Sequence, residues 1–115
     1  MLRILLADDD HTMVALLKTL LNMEGYHVST LLDKSGDILE NVHLAKPDVL
    51  LLDINLGDQN GLDILRQIRK LPVFNRVRII MVSGVDKREE CLAAGADVFL
   101  LKPYMPNDLL GILRA

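Results

Sequence analysis

The chain predicts an α/β fold built on a parallel sheet, and three observations carry the prediction. Apolar runs alternate with segments of helical period from one end to the other. Four of these runs are near-continuous, ILLA at 4–7, VLLL at 49–52, RIIMV at 78–82 and VFLL at 98–101, as expected of strands buried on both faces. Each run ends on chemically capable side chains: Asp8 with Asp9, Asp53, Ser83 and Lys102. Sites in parallel sheets form at the carboxyl ends of the strands. Carboxylates, a hydroxyl and an amine far apart in sequence are therefore expected to meet along one rim.

The elements follow in order. After the first strand a helix is expected from His11 to Glu24, with Met13, Leu16, Leu17, Leu20 and Leu21 on one face and Gly25 as its stop. A second strand follows at Tyr26–Leu31. Ser35 to Ala45 reads as a shorter helix carrying Ile38, Leu39 and Val42, ended by Lys46-Pro47, which also introduces the strand Val49–Leu52. Asp53 then opens the loop INLGDQN. Gly61 to Leu71 reads as a third helix with Ile64, Leu65 and Ile68 inward and Pro72 closing it. The strand Arg78–Val82 passes through Ser83-Gly84 to a helical segment at Lys87–Ala94, stopped by Gly95. A last strand, Val98–Leu101, leads to Lys102-Pro103. The final helix starts at Pro106, a residue suited to a first helical position, and buries Leu109, Leu110 and Leu113.

Composition bounds the function classes. With 115 residues, the chain is expected to form one domain, 1–115, with a single sizeable core. A net charge of -3 provides no basic field, so direct nucleic-acid binding by this segment is not expected. The one cysteine, Cys91, excludes an internal disulfide and fits helix packing in a reducing compartment. The N-terminal run is too short for a secretion signal, and no stretch reaches the roughly 18 apolar residues of a membrane span. A cytoplasmic location is expected.

Asp8, Asp9 and Asp10 stand where the first strand meets the first helix. A helix N-terminus needs one such cap, for which Asp10 is best placed. The other two would repel each other unless a cation neutralised them, and Mg²⁺ prefers such oxygen ligands. Asp53 reads either as a solvated loop carboxylate or, beside Mg²⁺, as a nucleophile toward phosphorus that forms an acyl phosphate. Ser83 and Lys102 would then supply a hydroxyl donor and a point positive charge to a phosphoryl group. Taken alone, Ser83 could cap the next helix and Lys102-Pro103 could be a surface turn. Their shared position after apolar runs favours the joint reading.

This ordered set of acidic pair, phosphoacceptor, hydroxyl and Lys-Pro resembles the receiver domain of two-component response regulators, and the resemblance covers essentially the whole chain. It implies a doubly wound, flavodoxin-like fold with strand order 2-1-3-4-5 and helices on both faces. It implies a phosphoprotein whose aspartyl phosphate forms on Asp53, at the expense of a phosphohistidine on a sensor histidine kinase or phosphotransfer protein. Mg²⁺, with Mn²⁺ as a substitute, is expected on Asp8, Asp9, Asp53 and the Asn55 backbone carbonyl, with Asp9 the direct ligand of the acidic pair. Ser83 and Lys102 match the residues that contact the phosphoryl group, and Lys102-Pro103 matches a cis peptide. Phe99, otherwise a core aromatic, matches an aromatic switch that works with Ser83 to remodel a signalling surface. No enzyme activity is implied beyond the domain's own phosphorylation and dephosphorylation. The partners implied are the kinase and a C-terminal or separate output domain, with the domain monomeric or dimerising on phosphorylation.

Three departures from the family pattern stand out. Gly57 occupies a position where the family often has proline, so a more mobile phosphoacceptor loop is expected. The span from Ser83 to Lys102 is about one helical turn short, which bears on the output face. Val85 is apolar where a polar side chain could orient an attacking water, so slow hydrolysis of the phosphoryl group is expected. Two rival readings remain at this point: a receiver-like interaction module without phosphorylation, and a phosphatase resembling the haloacid-dehalogenase type, for which Asp8-x-Asp10-x-Thr12 has the signature spacing. In the latter Asp8 would be the nucleophile and Asp10 the acid/base. His11, His27 and His43 show no metal-ligand spacing and are expected at surface or edge positions; only His11 lies near enough to modulate the acids. Lys87-Arg88-Glu89-Glu90 is expected to be a solvated helix face.

Overall fold

The computed structural model describes residues 2–31 and 37–115. Strands β1 (Arg3–Ala7), β2 (His27–Thr30), β3 (Val49–Asp53), β6 (Arg78–Ser83) and β7 (Val98–Leu101) form one parallel sheet in the order β2-β1-β3-β6-β7. Counting only these five, the order is the expected 2-1-3-4-5. The remaining two strands, β4 (Asn55–Leu56) and β5 (Gln59–Asn60), make a small antiparallel pair. The stretch expected to be a plain loop is therefore a hairpin, turned at Gly57 in the left-handed region (φ +61°).

Alternating side chains of the five strands feed two cores, as strand geometry requires. Ile4, Leu6, Val49, Leu51, Ile80 and Val82 join one face with α1 (His11–Met23) and α5 (Pro106–Arg114). Leu5, Ala7, Leu50, Leu52, Ile79, Met81 and Phe99 join the other with α2 (Ile38–Ala45), α3 (Gly61–Arg69) and α4 (Arg88–Ala93). All five residues of β3 are buried, which explains a run of apolar residues with no polar alternation. Cys91 is fully buried on α4, in keeping with the packing role expected of it. His11, His27 and His43 are all exposed.

Helix boundaries differ from expectation in small, explicable ways. α2 begins at Ile38 because Asp37 has extended backbone and accepts the Leu39 N–H. Asp37 is thus a cap outside the helix, and Ser35, the expected start, lies outside the described residues. Lys46 ends α2 in the left-handed region (φ 48°), and Gly25 at φ +94° follows α1. α3 stops at Arg69, and Pro72–Phe74 forms a 3-10 turn instead of merely closing the helix. Lys87 is the cap of α4, not its first residue.

The chain leaves β1 for β2 on one side and returns to β3 on the other. This reversal opens the crevice between β1 and β3 at the carboxyl end of the sheet. Gly61 sets the depth of that crevice: its N–H donates to the Ile54 carbonyl at 2.6 Å, and a Cβ there would collide with the Asp53 backbone oxygen. Because backbone cannot yield as a flexible side chain does, Gly61→Ala is expected to destabilise the fold by about 1–3 kcal/mol. Urea unfolding measures this; a wild-type midpoint in the variant would show that the β3–α3 connection is looser than the packing indicates.

Candidate functional site at the carboxyl edge of the sheet

The acidic cluster is distributed by local hydrogen bonding. Asp10 has extended backbone and its side chain accepts from Met13 N–H at 3.1 Å, so it is the cap of α1. This engagement turns the Asp10 carboxylate toward its own helix. Asp8 is buried, and its Oδ1 accepts from Asp10 N–H at 2.9 Å. Asp9 projects to the β4–β5 hairpin, where its Oδ2 accepts the Gly57 N–H at 2.8 Å. Gly57 is thereby bonded to the acidic pair. A proline, having no N–H, could not make that bond.

Asp53 ends β3 across from Val82 of β6, one position beyond the Leu52–Ala7 pair with β1. Only 5% of it is exposed. Its Oδ1 accepts from Asn55 N–H at 3.0 Å and its Oδ2 from Lys102 Nζ at 2.9 Å. Lys102 also reaches Asp8, donating to Oδ1 at 3.1 Å and lying 3.0 Å from Oδ2. One ammonium thus joins carboxylates on two adjacent strands. The peptide between Lys102 and Pro103 is cis.

Ser83 closes β6, is buried, and accepts Val85 N–H on its Oγ at 3.1 Å. Its carbonyl accepts the Lys102 N–H at 2.8 Å, which ties the hydroxyl and the lysine to one rim. Phe99 is buried in the core on the face of α2, α3 and α4, and the Arg88 guanidinium lies 5.6 Å from its ring centroid. Arg88 is therefore not only part of a solvated face, as its charged neighbours suggested; it stacks on an aromatic ring. Val85 stands 63% exposed beside Ser83.

Burial pushes the Asp53 carboxyl up. Lys102 and the Asn55 N–H pull it down and Asp8 pushes it up again, leaving it above the ordinary aspartate value. Burial works against the Lys102 ammonium, but the hydrogen bonds and charges of Asp53 and Asp8 outweigh it and raise its pKa. Tyr104, next to Pro103, is pushed up to about 12 by burial and by the nearby Asp8 carboxylate.

The donor set suits a hard cation. Asp9 Oδ1 is buried without a hydrogen-bond partner, Asp8 Oδ2 meets only the Lys102 ammonium, and every side-chain candidate is an oxygen. Among the described residues no three His, Cys, Asp or Glu side chains form a ready-made cage. Mg²⁺ commonly takes one or two carboxylates and keeps several waters. Asp8, Asp9, Asp53 and the Asn55 carbonyl are the groups that could hold it.

Several contributors escaped sequence reading. Asn60 caps α3 by accepting from Leu62 and Asp63 N–H at 2.9 and 3.3 Å; its signal was visible as Asn before an apolar helix. Tyr104 carried no signal beyond following Lys-Pro. Arg69 and Asp97 also escaped, because their partners lie far away in sequence. Asp97 Oδ2 accepts both Arg69 Nη2 and Ile79 N–H at 2.8 Å, while Arg69 Nε donates to the Gly95 carbonyl at 2.8 Å.

Removing Lys102 would leave two buried carboxylates facing each other. Lys102→Met is expected to cost about 1–3 kcal/mol at pH 7, a figure reduced from that of fully buried pairs because the lysine side chain is 26% exposed. With a raised folded pKa, the lysine's own contribution is present below its unfolded value and is lost as pH rises through the folded one. The loss in the variant should therefore shrink above pH 10.5, and also in acid, where the carboxylates are protonated. Urea unfolding across pH reads this, and a deficit independent of pH would contradict it.

Comparison with known proteins agrees with this geometry. The family of the response regulator receiver domain matches residues 4–114. The chain is 34% identical to the transcriptional regulatory protein PrrA of Mycobacterium leprae over 98% of its own length and 48% of that protein. It is 29% identical to the chemotaxis protein CheY of Thermotoga maritima, over 97% of this chain and 94% of that one. The crystal structure of the chemotaxis response regulator CheY4 of Vibrio cholerae superposes with a TM-score of 0.88 at 27% identity, covering 99% and 97% of the two chains. The chain spans about half the length of the transcriptional regulators it matches first. With the match running from Ile4 in β1 to Arg114 in α5, the chain belongs to the response regulator receiver domain family.

Proposed function

We propose that this receiver domain accepts a phosphoryl group on Asp53 from a phosphohistidine of a sensor histidine kinase or phosphotransfer protein. The observation that carries the reading is the buried Asp53 carboxylate beside two further acids, tied to the Lys102 ammonium at 2.9 Å. In the transfer, an Asp53 oxygen forms a bond to phosphorus as the phosphorus–nitrogen bond breaks and its electron pair stays on the imidazole. Mg²⁺, when bound, supplies positive charge that offsets repulsion between carboxylate and phosphoryl oxygens. Lys102 is placed to exchange its carboxylate partners for phosphoryl oxygens. Ser83, whose Oγ accepts from Val85 N–H, keeps its own proton to donate.

The domain's chemistry on this reading is limited to its own phosphorylation and dephosphorylation. Its output is a surface that changes with Ser83 and Phe99, read by an attached or separate partner. The proposed setting is the cytoplasm. Among the described residues, no helix is long and apolar enough to cross a membrane. The net charge of -3 leaves DNA contact to other domains.

Incubation with acetyl phosphate and Mg²⁺ is expected to add one phosphoryl group by mass, and Asp53→Asn is expected to abolish the addition while circular dichroism stays unchanged. Persistent labelling of Asp53→Asn would sink the assignment of the acceptor, and no labelling of the folded wild type would favour an interaction module without the chemistry. A second expectation concerns lifetime. Val85→Gln places a polar group beside the phosphoryl site, where it can orient water, so the acyl phosphate should decay faster than in the wild type. Equal decay constants would remove Val85 from the account.

A further inference from the structure

The three acids of the site are held in two different ways. Asp8 and Asp53 share the positive charge of Lys102. Asp9 makes no ion pair among the described residues; a neutral backbone N–H, that of Gly57, holds its Oδ2 at 2.8 Å, and its Oδ1 is buried with no hydrogen-bond partner. A neutral donor orients a carboxylate while leaving its charge in place. A lysine would orient it and cancel the charge. The bond spans 48 positions of sequence and depends on Gly57 adopting φ +61° at the tip of the β4–β5 hairpin.

We propose that Gly57 is a positioning residue for divalent-cation binding: its N–H fixes Asp9 through Oδ2 so that the charged, unpartnered Oδ1 is available to the cation. The inference rests on the Mg²⁺-dependent reading above and assigns to this chain's own turn a part in it. A hydrogen bond behind a ligating carboxylate commonly supports metal affinity by one to two orders of magnitude. Linkage makes the effect reciprocal, so a bound cation restrains the hairpin that follows the phosphoacceptor. Sequence position alone pointed the other way, toward a looser loop, because glycine is read for its freedom and not for its amide.

Isothermal titration of Mg²⁺ into the wild type, Gly57→Pro and Gly57→Asn tests this. Proline lacks the N–H and cannot reach positive φ; asparagine keeps the N–H and tolerates the left-handed region. The expected result is a dissociation constant raised roughly tenfold to a hundredfold in Gly57→Pro and close to wild type in Gly57→Asn. Wild-type affinity in a folded Gly57→Pro overturns the assignment and leaves the receiver reading intact. Failure of the wild type itself to bind Mg²⁺ overturns both. Should Gly57→Pro not fold, amide exchange in the wild type decides. Protection of the Gly57 amide that is lost in Asp9→Ala, with a shift of its resonance on Mg²⁺ saturation, supports the proposal. An amide that exchanges like an open turn in both proteins refutes it.

Discussion

The arrangement depends on one constraint: two carboxylates, Asp8 and Asp53, are buried at the ends of adjacent parallel strands with a single ammonium between them. In water such a pair would separate. Here β1 and β3 are locked in register by the sheet, and both strands are buried on two faces, so the acids cannot move apart without unpairing the ladder. Lys102 relieves their repulsion only as long as it stays on the rim, and the backbone bond from its N–H to the Ser83 carbonyl helps to keep it there. The core therefore does more than stabilise the fold. It forces together charges that favour any cation or cationic group able to join them.

That constraint explains why the elements around the site are tightly specified while others are not. Gly61 has no room for a side chain above Asp53, and Asn60 must cap α3 directly after the hairpin. On the far side of the sheet, the short connection through α4 is secured by a long side chain. Arg69 reaches from α3 to the Gly95 carbonyl and Asp97, and a Cβ on Gly95 would press against the Arg69 stem. A helix of six residues has too few internal bonds to stand by itself. Its order comes from burial of Cys91 and from this clamp.

The fold was legible because buried parallel strands write themselves as apolar runs, and the reactive side chains stood just past those runs. Asp8, Asp53, Ser83 and Lys102 all meet on the rim where the runs end. The parts that escaped are those carried by backbone or by distant pairs. Two-residue strands such as β4 and β5 have no period to detect. Ser35 and Asp37 can both cap a helix, and only the extended backbone of Asp37 places the start of α2. The Gly57 amide bonds to Asp9 through an atom every residue but proline possesses, so its identity as glycine conveyed conformation but not contact. Arg69 and Asp97, 28 positions apart, could not be paired without the topology.

Ser83 connects the charge site to the least self-sufficient part of the fold. Its Oγ accepts the Val85 N–H, and this sets the turn that leads to α4. A hydroxyl that accepts one bond still has a proton to give, so Ser83 can meet an acceptor in the crevice without first abandoning the turn. Any displacement of Oγ toward the crevice nevertheless draws on a bond worth on the order of 0.5–1.5 kcal/mol and moves the residues entering α4. The first residue of that helix, Arg88, lies over Phe99. One side-chain bond holds the start of α4, from the Arg88 N–H to Asp86 Oδ1 at 3.1 Å, while Arg69 and Gly95 fix the turn beyond its end. Ser83, Asp86 and Arg88 thus form a continuous path of short-range contacts from the rim to the Phe99 ring.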